Sequence, residues 1–211
     1  SSTGAGVMYC GYTKEEVAAA VDEAARAGKG VAVHAHGGPA IDISLETGVF
    51  SIEHGALLSP AQIEAVARTG AWVVLTMTLI LHDDGLMKVD GQNPAIRERI
   101  LLGREKLGET VRRMIQAGVR LAVGTDALHG RLTWEAEYLV QFGMRPLDAI
   151  TCATRSGAEV CGVLDETGTL EVGKSADIIA VEGDPSAHIA VLRRVRLVMK
   201  HGERYDTLSP Q

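Results

Sequence analysis

The sequence predicts an α/β fold of parallel strands joined by crossover helices, followed by a β-rich segment. Three observations lead there. Short apolar runs alternate with helical segments through the first three quarters of the chain, and strand–helix alternation at these lengths requires parallel strands. Three of the four apolar runs end in a His or an Asp. From Gly168 onward the text changes to short β-type runs punctuated by turn residues.

Each element follows from local signals. Thr13-Lys14-Glu15-Glu16 is a capping box and opens an Ala-rich helix expected to run to about Gly28. The stretch VAVHAHGG, Val31 to Gly38, then reads as a short buried strand. Residues two apart on a strand share a face, so His34 and His36 point the same way. Imidazoles at a strand tip can ligate a metal, or can simply be satisfied polar groups at the strand mouth. A short helix near Ile41 to Glu46 leads to VFSIEHG, which delivers His54 and Gly55 at its end. Ser59-Pro60 is an N-cap followed by proline at the first helical position, and the helix AQIEAVART stops at Gly70.

The run AWVVLTMTL, residues 71–79, is expected to be a strand that ends in threonines and no ligand. The connection ILHDDGLMKVDGQN is unusually long, and such loops often cover a site. Within it His82, Asp83 and Asp84 read as solvated turn residues. Asn93-Pro94 starts a long helix to about Ala117, closed by Gly118, and RLAVGTDA is a strand ending at Asp126. Helices are expected to begin near Thr133 and Pro146. Trp134, Tyr138 and Phe142 recur at helical spacing and read as core. The last part, HIAVLRRVRLVMKHGERY, offers a hairpin with His201-Gly202 at its turn, and His188 and His201 read as surface residues. The division expected is 1–165 for the α/β part and 166–211 for the β-rich part.

Bulk properties narrow the function. With 211 residues and 46% hydrophobic content the chain can build a substantial core. A net charge of −6 argues against a nucleic-acid partner, which needs a basic face. No apolar run approaches the ~18 residues of a membrane span, so no membrane partner is expected. Cys10, Cys152 and Cys161 are odd in number and lack CxxC spacing. That pattern suits free thiols in a reducing, cytoplasmic setting. In parallel sheets, ligand sites lie beyond the C-terminal strand ends, which is where His34, His54 and Asp126 fall. A small-molecule substrate is the expected partner.

The texts VAVHAHG, SIEHG, VGTDA, ITCATRSGAEVCG and GTLEVGKSADIIAVEGDP together resemble the amidohydrolase superfamily. The resemblance is to its imidazolonepropionase-like and prolidase-like metal-dependent hydrolases. It implies a (β/α)8 TIM-type barrel with metal ligands on its fifth, sixth and eighth strands, here His34, His54 and Asp126. The family pattern makes the first histidine of HAH the ligand, which leaves His36 in the outer shell or at the substrate. Asp126 would also be the general base. His129, in the loop after Asp126, is either a substrate contact or a solvated residue. The implied cofactor is a divalent metal, with Zn²⁺ the first expectation.

The chain departs from the family pattern at two places. The His-x-His pair of the first strand and the bridging lysine of the fourth have no counterpart, since Lys14 and Lys29 lie on or after a helix. SSTGAG resembles the glycine-containing loop that follows that lysine. The expected fold is therefore the C-terminal half of the barrel, strands five to eight, plus a small β-rich appendage. The partner expected for it is an N-terminal half-barrel or a second copy of the chain. Two functions follow. One is a hydrolase of an amide or peptide-like C–N bond in a dipeptide or N-acyl amino acid, weak or inactive alone. The other is a truncated, non-catalytic half-barrel acting only through association.

Overall fold

The structure is a computed structural model describing residues 6, 8–126 and 128–205. Ser1 to Ala5, which carry most of the SSTGAG reading, lie outside the described residues. Four strands, β1 (Ala32–Ala35), β2 (Ser51–His54), β3 (Trp72–Leu75) and β4 (Arg120–Val123), form one sheet in chain order. All three pairings are parallel, with Val33 opposite Ile52 and Ile52 opposite Val73. The crossovers are helical: α1 (Lys14–Arg26) precedes β1, α2 (Pro39–Thr47) joins β1 to β2, and α3 (Pro60–Thr69) joins β2 to β3. Between β3 and β4 lie α4 (Met77–Leu81), α5 (Leu86–Val89) and α6 (Pro94–Gln116). After β4 come α7 (Leu132–Gln141), α8 (Pro146–Ala153) and α9 (Arg155–Val160). A second, antiparallel sheet follows, of β5 (Ile178–Val181), β6 (Val195–Lys200) and β7 (Glu203–Tyr205).

The two faces of the parallel sheet differ. One face is dry: Ile52 and Val73 pack with Ile41 of α2, Val66 of α3, and Leu107, Val111 and Met114 of α6. The other face is open, with Ala32 and His34 exposed and Glu53 and Val74 half-buried. Glu53 lies opposite His34 in the register and accepts a hydrogen bond from the Ser51 hydroxyl at 2.7 Å. A sheet with helices on one side and polar groups on the other is one sector of a βα barrel, with its lumen laid bare. β1 and β4 are its two edges.

Local signals behave as expected at α1 and α3. Thr13 and Glu16 close a capping box, as do Ser59 and Gln62, and Gly70 ends α3 in the left-handed region at φ 73°. The hairpin turn is also confirmed: His201 and Gly202 have φ of 52° and 80°, the paired positive values that a type I′ turn needs.

The expected strand over 71–79 is a correction. It stops at Leu75, and Met77–Leu81 turn helical. The cause is a buried carboxylate from α7: Glu135 accepts from the Met77 N–H at 2.8 Å and the Thr78 N–H at 2.6 Å. A tertiary partner thus caps a helix start that has no side-chain cap of its own. The long connection is likewise not structureless, since it contains the end of α4 and all of α5. His82 is half-buried rather than solvated. Its ring meets Trp134 edge-on at 4.6 Å, and its Nδ1 accepts from the Asp84 N–H at 3.1 Å. In the β-rich part, residues 189–193 of the expected hairpin form a 3-10 turn that buries Ile189 and Val191. Among the described residues no helix is long and apolar enough to cross a membrane, and all three cysteines are free.

Candidate metal centre

Two strand tips and the loops behind them bring three imidazoles together. His34 is the penultimate residue of β1, His36 lies just past its end, and His54 ends β2. Regular alternation would send the His54 side chain to the dry face with Ile52, away from His34. Its backbone breaks that rule: φ is 79°, in the left-handed region. The His54 ring consequently lies 4.5 Å from that of His34 and stacks on that of His36 at 4.9 Å. One ring nitrogen from each of the three residues falls within 4.8 Å of the others.

The loops that hold these rings are tightly interlocked. The Leu57 N–H donates to the His36 carbonyl at 2.7 Å. That docking explains the first glycine after the histidines, because a Cβ on Gly37 would lie 2.6 Å from the Leu57 carbonyl oxygen. The Gly55 N–H donates to the Ala35 carbonyl at 3.0 Å, tying the end of β2 to that of β1. Just past β3, the Thr76 hydroxyl lies 2.6 Å from His54 Nδ1 in a buried contact.

Electrostatics keep the rings ready to donate. Burial, reinforced by the charges of His54 and His34, pulls the His36 pKa down to about 3. Burial and His34 pull His54 down to about 4, against an opposing pull from Asp126. Both rings are therefore neutral near pH 7, with a lone pair available for a Lewis acid. Three imidazole nitrogens in this compass fit a divalent ion of the zinc type, which favours nitrogen donors.

The other sequence candidates are placed less centrally. Asp126 is exposed, with φ 43°. Its charge acts on His54, but it stands outside the three-imidazole group. His129 is exposed in the same loop. Two residues that sequence reasoning missed support the centre. Thr76 had a usable signal, a hydroxyl at the C-terminal tip of a strand beside a histidine-bearing strand. Glu135 had none, because nothing near it in sequence marks its role as the cap of α4.

The model of the amidohydrolase family matches residues 8–205. This chain belongs to the amidohydrolase family. Ochratoxinase of Aspergillus niger is 30% identical over 199 residues, spanning 90% of this chain and 40% of its own length. Imidazolonepropionase of Micrococcus luteus is 29% identical over 173 residues, spanning 78% of this chain and 41% of its own. A solved Xaa-Pro dipeptidase with bound methionine in the active site superposes with a TM-score of 0.84 at 33% identity, over 93% of this chain and 49% of its own. The chain thus spans about 40% of these curated relatives and half of that solved structure. Its α/β part is a partial amidohydrolase barrel, and its antiparallel sheet is the appendage to it.

Proposed function

We propose that this chain carries the C-terminal half of the catalytic apparatus of a metal-dependent amide hydrolase. The observation that carries the reading is the convergence of three imidazoles at the C-terminal ends of parallel strands. In this reading His34 and His54 hold the ion from one side, and Asp126 completes the set. When bound, the ion would supply Lewis acidity to the scissile carbonyl and acidify the attacking water. Asp126 accepts the proton of that water and delivers it to the leaving amine. His36 and His129 touch the substrate, His36 from beside the ion and His129 from the loop beyond Asp126.

The substrate class we favour is a dipeptide or an N-acyl amino acid, hydrolysed at its C–N bond. The likeness to an Xaa-Pro dipeptidase holding methionine in its active site supports a site that accommodates an amino-acid moiety. We further propose that the centre is incomplete without strands from an N-terminal half-barrel or a second copy. The open lumen face and the two sheet edges that have no strand partner among the described residues support this. The proposed division between half-barrel and appendage falls at 165/166.

The test is complementation. Zinc-supplemented hydrolysis of dipeptides and N-acyl amino acids is measured for the chain alone and with an N-terminal half supplied in trans. Turnover is expected only with the second half, and Asp126→Asn should abolish it without disturbing assembly. Full turnover by the Asp126→Asn complex would remove Asp126 from the mechanism. Complexes that form but hydrolyse nothing would favour the non-catalytic half-barrel.

A further inference from the structure

We infer that Thr76 is a positioning residue of this centre: its hydroxyl holds the His54 ring through Nδ1 and accepts the Nδ1–H of the tautomer in which Nε2 is free to bind. The inference rests on the metal-centre reading above and names a residue outside its ligand set.

The geometry is specific. Thr76 Oγ1 and His54 Nδ1 are 2.6 Å apart and buried. A neutral imidazole has one donor and one acceptor nitrogen, and a threonine hydroxyl can pair with either; binding through Nε2 selects the form in which Nδ1 donates. For Nε2 to keep its lone pair, Nδ1 must carry the proton and donate it to the Thr76 oxygen. Residues that orient a metal-binding imidazole through its second nitrogen typically change metal affinity by 10–100-fold when removed.

Three features hold the hydroxyl in that role. Thr76 immediately follows β3, is 8% exposed, and is β-branched, so its side chain has little rotameric freedom. It sits at the N-cap position of α4, where a threonine hydroxyl would ordinarily turn back onto the helix. Here it makes no capping bond, and Glu135 accepts from the Met77 and Thr78 N–H groups in its stead. The Glu135 carboxylate thus releases the Thr76 hydroxyl to serve His54. The need for an external restraint is evident in His54 itself, whose strained φ of 79° gives its ring no regular strand to lean on.

The experiment uses the 211-residue chain and compares wild type, Thr76→Val and Thr76→Ser. Valine keeps the shape and removes the hydroxyl, while serine restores the hydroxyl without the methyl group. Imidazole ¹⁵N NMR of the metal-free chain reports the His54 tautomer, assigned by loss of its signals in His54→Asn. Zn²⁺ affinity is measured by competition with a chromophoric chelator. The expected result is Nδ1–H in wild type and Thr76→Ser, and a mixed or Nε2–H population in Thr76→Val. Zinc affinity should fall 10–100-fold in Thr76→Val and return toward wild type in Thr76→Ser. Unchanged tautomer and affinity in Thr76→Val would overturn the assignment to Thr76 and leave the metal centre standing. An equal loss in both variants would also overturn it, since serine keeps the hydroxyl. A tautomer that responds to Thr76→Val in a chain that binds no zinc even with an N-terminal half supplied would uphold the restraint on His54 and overturn the metal reading.

Discussion

His54 occupies a backbone conformation that costs an L residue about 1–2 kcal/mol, and Asp126 shares the same region. Among the described residues only three non-glycine positions have positive φ, and the third, His201, is explained by its hairpin turn. Strain at the other two persists because surrounding contacts impose it, which is the usual signature of a site. Asparagine tolerates the left-handed region better than most residues. His54→Asn is therefore expected to keep a cooperative melt while lowering zinc affinity by more than the 10–100-fold of a lost outer partner. Calorimetry and chelator competition on the same preparation check both halves. Zinc binding at wild-type strength would show that the His54 nitrogen is not a ligand. At this scale the residue types were legible: HAH and EHG name the imidazoles, and the strand tips place them. The flip of His54 was not legible. Strict alternation puts its side chain on the wrong face, and only the positive φ corrects it.

Helix α4 exists because of a residue 58 positions away, since Glu135 supplies the acceptor for the Met77 N–H. Burial raises the Glu135 carboxyl from its ordinary 4.5 to about 7, against the lowering effect of the N–H donors. A carboxyl whose folded pKa is raised favours the fold on the acid side. Below pH 4.5 that contribution is complete. As the pH rises from 4.5 toward 7, the unfolded chain gives up the proton that the fold retains, and the contribution declines. His36 and His54, with folded pKa values lowered from 6.5, have the opposite slope, so the wild-type curve alone mixes the two. The difference between wild type and Glu135→Gln isolates the carboxyl. Gln offers one oxygen where two N–H groups need acceptors, so the variant should lose about 1–3 kcal/mol. That loss should be largest below pH 4.5 and shrink toward pH 7. Denaturant unfolding across this range is the measurement, and a pH-independent difference would mean that Glu135 titrates normally. The same residue explains what sequence reading could and could not find among the elements. A capping box announces α1, the Ser59-Pro60 N-cap and closing Gly70 announce α3, and Asn93-Pro94 announces α6, because their signals are local. Residues 76–79 read as strand because WVVLTMTL is apolar and β-branched, and the buried cap that overrides this preference is invisible to any local window.

The molecule as a whole is a barrel sector with its lumen exposed, and that form predicts its behaviour in solution. A groove of about 720 Å³ runs beside β1, lined by Tyr9, Tyr12, Val17, Ala20, Val33 and His34. Tyr9 and Tyr12 are 64% and 71% exposed, so apolar surface adjoins a strand edge that is unpaired among the described residues. Such edges invite pairing with another chain, and contiguous apolar surface of this kind adds a hydrophobic driving force. The chain alone is therefore expected to self-associate as its concentration rises, in light scattering or sedimentation. Adding an N-terminal half-barrel should replace that association with a defined one-to-one complex. Hydrogen exchange gives the residue-level check: amides of β1 should be poorly protected in the isolated chain, while those of the central strands β2 and β3 are held from both sides. Complex formation should slow exchange in β1 first and leave β2 and β3 nearly unchanged. A concentration-independent monomer in which β1 is as well protected as β2 would mean that this edge is already satisfied within the chain. The incomplete-site reading would then lose its structural basis, because a closed edge leaves no place for the strands that it requires.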